Sequence, residues 1–123
     1  MHELSIAQSI LDIAVEHAGE RRIVAVDVRV GHLRQVVPDA LSFAFALLTE
    51  GTAAEGARLE IEHVPAAGRC RACGAETQLD GFPLRCAACG GLDLELLRGE
   101  ELLVDALELD EALMTTGGAV DGH

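Results

Sequence analysis

The chain has no tryptophan and no tyrosine, and only three phenylalanines in 123 residues. Binding single-stranded nucleic acid by stacking bases on aromatic rings is excluded for want of platforms. Positive charge is also scarce: nine Lys and Arg stand against 21 Asp and Glu, a formal net charge of −12. Such a surface repels a polyanion and favours a basic partner surface or a cation. No apolar run approaches the roughly eighteen residues that a membrane span requires. The opening Met1-His2-Glu3-Leu4-Ser5 lacks the positive n-region of a secretory signal. These absences lead to the expectation of a cytoplasmic protein with neither nucleic acid nor membrane among its partners.

What is present is a half-apolar chain with enough length for one core, and four cysteines. Cys70 and Cys73, then Cys86 and Cys89, form two Cys-x-x-Cys pairs, each followed by glycine and separated by twelve residues. Four thiolates at this spacing suit a tetrahedral Zn²⁺, each pair folding into a tight knuckle with Gly74 or Gly90 supplying a positive φ. A metal closed by four protein ligands is structural, not catalytic. Two disulfides or one redox-active pair are the competing readings. The absence of a signal segment and the identical form of both pairs disfavour them. Zinc on four thiolates takes the net charge to about −14.

Hydrophobic periodicity orders the rest. Leu4, Ala7, Leu11, Ala14 and Ala18, flanked by Ile6, Ile10 and Ile13, recur at helical spacing opposite Ser5, Gln8, Ser9, Asp12 and Glu16. The first helix therefore begins almost at the first residue, and Gly19 stops it. Residues 23–30 alternate as a strand, with Val24, Val26, Val28 and Val30 on one side and Asp27 and Arg29 on the other. Pro38 and Asp39 suit the first turn of a second helix, with Leu41, Ala44, Phe45 and Leu48 as its buried stripe. Residues 58–64 form a second strand with Leu59 and Ile61 inward, and residues 102–109 a third. Strand, helix, strand in this order favours a right-handed crossover and a parallel pair. The fold class expected is α/β: two helices packed on a small three-stranded mixed sheet, with an inserted zinc-ribbon lobe. Residues 1–66 plus 99–112 would form the α/β domain, 67–98 the ribbon with Leu92, Leu94 and Leu96 on a strand, and 113–123 a flexible tail.

Chemistry other than structural zinc can be sought at the other end. The Met1 amine, the His2 imidazole and the main-chain nitrogens of His2 and Glu3 can surround one cation, and a nitrogen-rich planar set suits Ni²⁺ or Cu²⁺. The first four N–H groups of a helix have no intrahelical acceptor, so metallating two of them breaks no helical bond. The remaining histidines read as structural or surface groups: His17 at the helix end, His32 in a loop, His63 on the inward side of its strand beside the hinge, and His123 in the tail. Arg69, Arg71 and Arg85 either offset the thiolate charge or are ordinary solvated residues.

Taken together, Met1-His2-Glu3 running into a helix, the strand ending in Val30-Gly31, the Pro38-to-Phe45 helix start, Gly51-Thr52 with Glu55-Gly56-Ala57, and the paired knuckles resemble the HypA/HybF family of nickel chaperones. The likeness runs to about Leu109. It implies a nickel metallochaperone, not an enzyme, delivering Ni(II) for maturation of [NiFe] hydrogenase with a HypB-type GTPase and the hydrogenase large subunit as partners. By the same resemblance nickel falls on Met1, His2 and Glu3 and structural zinc on Cys70, Cys73, Cys86 and Cys89, with Asp39 the nearest further carboxylate. The rival reading is an acidic zinc-ribbon protein-interaction module without nickel delivery. A thiol oxidoreductase is the third, and a zinc-saturated set leaves it no free nucleophile.

Overall fold

The computed structural model describes residues 2–110 and the backbone of residues 113–119. Helix α1 spans His2–Ala18 and α2 spans Pro38–Thr49. Strands β1 (Ile23–Gly31), β2 (Arg58–Val64), β6 (Leu102–Leu109) and β7 (Leu113–Ala119) form one sheet in the order β2-β1-β6-β7. Strands β3 (Ala66–Cys70), β4 (Glu76–Leu79) and β5 (Leu94–Arg98) form a second, in the order β4-β3-β5. The α/β class with a four-cysteine lobe is as the periodicity led one to expect. The first sheet has four strands and not three, because Leu113–Ala119, assigned to a tail, pairs antiparallel with β6.

Two compact units result: residues 1–29, 36–62 and 102–123, and residues 30–35 and 63–101. In the first, α1 packs against α2 and β6. The core is built from Ile6, Ala7, Ile10, Leu11 and Ala14 of α1, Leu41 and Phe45 of α2, Val26 and Val28 of β1, and Val104 and Leu107 of β6. Alanines at positions 7 and 14 hold α1 close to its neighbours, while Ile10 and Phe45 fill the space between. Val24 is only half-buried, since burial along β1 falls on Ile23 and Ala25 before it shifts to Val26, Val28 and Val30. Leu4, expected inside, is 51% exposed. The buried stripe of α1 starts instead at Glu3 and continues through Ile6, Ala7 and Ile10. No helix among the described residues is long and apolar enough to cross a membrane.

The second unit closes where two backbones meet. The Gly31 N–H donates to the Glu101 carbonyl at 2.7 Å, and the Leu33 N–H donates to the Gly99 carbonyl at 2.8 Å. A Cβ on Gly31 would fall on the Gly99 carbonyl, nearer than any real contact allows. Glycine is therefore required here for approach and not for its dihedral freedom.

Candidate metal centres

The two knuckles are built identically. The Gly74 N–H donates to the Cys70 carbonyl at 2.8 Å and the Cys70 N–H to the Ala75 carbonyl at 2.9 Å. In the second, the Gly90 N–H donates to the Cys86 carbonyl at 2.9 Å and the Cys86 N–H to the Gly91 carbonyl at 2.8 Å. Gly74 and Gly90 take φ values of 80° and 74°, where an L side chain is strained. Each knuckle buries its first cysteine, Cys70 or Cys86, and exposes its second, Cys73 or Cys89.

The four Sγ atoms all lie within 4.8 Å of one another. Cys70 and Cys89 are 3.6 Å apart, as are Cys73 and Cys86. All four thiols are free. A tetrahedral ion with bonds of about 2.3 Å has sulfurs about 3.8 Å apart, so this set fits one with little adjustment. The electrostatics point the same way. The Cys73 N–H draws the Cys70 thiol below its ordinary range, and the Cys89 N–H draws that of Cys86 down to about 7. The Ala75 N–H likewise favours a Cys73 thiolate, yet Cys86 and the other neighbouring sulfurs outweigh it and push that thiol up to about 11. Four thiolates so close cannot ionise together without a cation between them.

The flanking arginines are engaged elsewhere. Arg69 pairs with Glu76 at 3.0 Å, Arg71 with Asp93 at 2.8 Å, and Arg85 donates to the Gly90 carbonyl at 3.3 Å. They brace the ribbon's strands and turns.

At the chain's start, Met1 lies outside the described residues, while His2 and Glu3 form the first turn of α1. The Glu3 carboxylate is buried and accepts the Val37 N–H at 3.1 Å. Val37 is the residue at the N-terminal boundary of α2, where no side chain caps the helix. Glu3 therefore ties the beginnings of both helices together. The Val37 hydrogen bond, against the opposing cost of burial, pulls its pKa down to about 2. His2 Nε2 lies 3.3 Å from the carboxylate, buried and without a well-formed hydrogen bond. Asp39 sits exposed in the first turn of α2.

Two histidines that spacing could not connect meet in the second unit. His63 is exposed, not inward, and its Nε2 lies 3.1 Å from His32 Nδ1. His17 is exposed in the last turn of α1, and His123 lies outside the described residues.

A small two-helix α/β protein with a preformed four-thiol cluster and no bonded disulfide among its cysteines is a metal-handling protein. The family model described as HypA, hydrogenase/urease nickel incorporation metallochaperone, matches residues 1–109. The chain belongs to the HypA family of hydrogenase maturation metallochaperones. It is 49% identical over 110 residues to the hydrogenase maturation factor HypA of Geotalea uraniireducens, covering 89% of this chain and 100% of that one. To the HypA of Nostoc punctiforme it is 43% identical, over 90% and 97% of the two chains. The fold is similar to the solution structure of the nickel metallochaperone HypA from Helicobacter pylori, with a TM-score of 0.58 at 21% identity, covering 95% and 99% of the chains.

Proposed function

We propose that the chain binds Ni(II) at its N-terminus and delivers it for maturation of [NiFe] hydrogenase, with Zn(II) held structurally by Cys70, Cys73, Cys86 and Cys89. Nickel is the cargo, taken by the Met1 amine, the His2 main-chain and imidazole nitrogens and the Glu3 main-chain nitrogen. The observation that carries this reading is the division of Glu3. Its carboxylate accepts the Val37 N–H and its own main-chain N–H, which fixes the first turn, and the terminal N–H groups of α1 have no acceptor in the helix's own ladder to lose on metallation. The His2 imidazole adds a buried nitrogen with no good hydrogen bond to give up. Zinc supplies a closed, soft-ligand clamp that holds the lobe's shape, whereas the nitrogen set lies at a chain end open to a recipient. The recipients are a HypB-type GTPase and the hydrogenase large subunit, in the cytoplasm.

Nickel titration of untagged, zinc-loaded protein with and without one extra N-terminal residue tests the site. One Ni²⁺ per chain should bind at the terminus of the authentic chain, and that binding should be lost from the extended one. Equal stoichiometry and affinity at the terminus would overturn the assignment.

A further inference from the structure

The second unit carries a pair of imidazoles that neither the thiol cluster nor the chain terminus uses. His32 opens the short 3-10 turn after β1, and His63 lies near the end of β2. Their rings meet edge to face, with centroids 5.1 Å apart and planes at 83°. His32 Nε2 is 2.6 Å from the Asp80 carbonyl oxygen. A carbonyl only accepts, so the proton of a neutral His32 sits on Nε2 and Nδ1 presents a lone pair. That lone pair is directed at His63 Nε2, 3.1 Å away.

We infer that His32 Nδ1 and His63 Nε2 form a second, weaker site for a borderline divalent cation such as Ni²⁺, distinct from the four thiolates and from the N-terminus. Two metal–imidazole bonds of about 2.0–2.1 Å spanning the observed separation enclose an angle of about 98°, between square-planar and tetrahedral values. The Asp80 carbonyl plays the part that an outer hydrogen-bond acceptor plays for a metal-ligating histidine, fixing its tautomer and ring plane. Uptake moves one proton, from His63 Nε2 to its Nδ1 through solvent, and turns the rings so that each lone pair swings about 40° off the line between the two nitrogens to meet at the ion. The His63–His32 hydrogen bond is given up, and the His32–Asp80 hydrogen bond bends with the ring. The rings border a hollow of about 190 Å³ that Gln78 and Asp80 also line, which leaves room for water in the remaining coordination positions. With only two protein ligands the site is open, and a net charge of −12 favours a cation there.

The site does not rest on the terminal nickel reading and is tested with that terminus disabled. Untagged, zinc-replete His2→Ala protein is titrated with nickel sulfate, and the histidine ring signals are followed by NMR alongside equilibrium dialysis. Paramagnetic broadening should reach the His32 and His63 rings together. Both His63→Gln and His32→Gln in that background should lose the broadening and weaken this binding at least threefold. Amide spectra and zinc content establish that each variant is folded. Since His63 is exposed, its substitution removes no core packing. Broadening confined to His17 or His123, or a weakening below threefold in both variants, overturns the inference.

Discussion

Replacing Glu3 by alanine should destabilise the first unit without touching a core methyl group. The carboxylate accepts the Val37 N–H at 3.1 Å in a buried setting, and its own main-chain N–H also favours the charged form. A hydrogen bond to a charged group contributes about 1.5–3 kcal/mol net, and an orphaned buried N–H costs about 1–3 kcal/mol. The pKa depression from 4.5 to about 2, to which the chain's amine and His2 also contribute, bounds the whole effect at about 3.4 kcal/mol. A loss of about 2 kcal/mol follows for Glu3→Ala, a fall in Tm of roughly 10 °C for a unit of this size. Glu3→Gln keeps an oxygen acceptor but not the charge, and should lose about 1 kcal/mol. Because the folded pKa is depressed, the stabilisation is complete above the unfolded pKa and disappears as pH falls toward the folded one. Urea unfolding of nickel-free wild type and Glu3→Gln should therefore show a constant gap from pH 7 to 5 that narrows below about pH 4.5. Equal stability of wild type and Glu3→Ala at pH 7 would refute the tie between the two helix starts. So would a gap that ignored acid.

Cys73→Ala leaves three thiols and should abolish stoichiometric zinc in the metal assay. The amide signals of residues 63–101 should then collapse, while those of α1 and α2 persist. A chelator in excess at neutral pH should reproduce that spectrum with the unaltered sequence. Gly31→Ala forces a methyl group onto the Gly99 carbonyl, a backbone atom that has no rotamer to yield, and should cost about 3 kcal/mol in denaturant melts of the second unit. A change under about 0.5 kcal/mol would mean that the two backbones can part without loss.

The thiol cluster was legible in the sequence because a Cys-x-x-Cys-Gly knuckle is local: its ring of hydrogen bonds closes within six residues, and spacing alone encodes it. The helices were legible because their apolar stripes repeat. Leu4 misled, since a stripe drawn from hydrophobicity has no place for a buried carboxylate, and Glu3 holds that place by virtue of a partner 34 residues away. Strand β3 carries no signal in the sequence because Ala66, Ala67 and Gly68 look like a linker. They are buried because small residues let neighbouring strands approach, Gly68 above all, whose added Cβ would lie 3.2 Å from the Glu95 carbonyl oxygen. Strand β7 was hidden by Thr115-Thr116-Gly117-Gly118, a composition that reads as a tail until β6 supplies an edge to pair with. The His32–His63 contact joins residues 31 apart through tertiary structure, and no periodicity marks it.

The second unit is assembled from two separated lengths of chain, the short piece at 30–35 and the long one ending at 101. During synthesis its four sulfurs emerge within a stretch of twenty residues, well before Glu101 arrives to accept the Gly31 N–H. Metal capture by the nascent ribbon can thus run ahead of the closure that completes its unit. A nascent chain without metal would reach Glu101 with its middle still open.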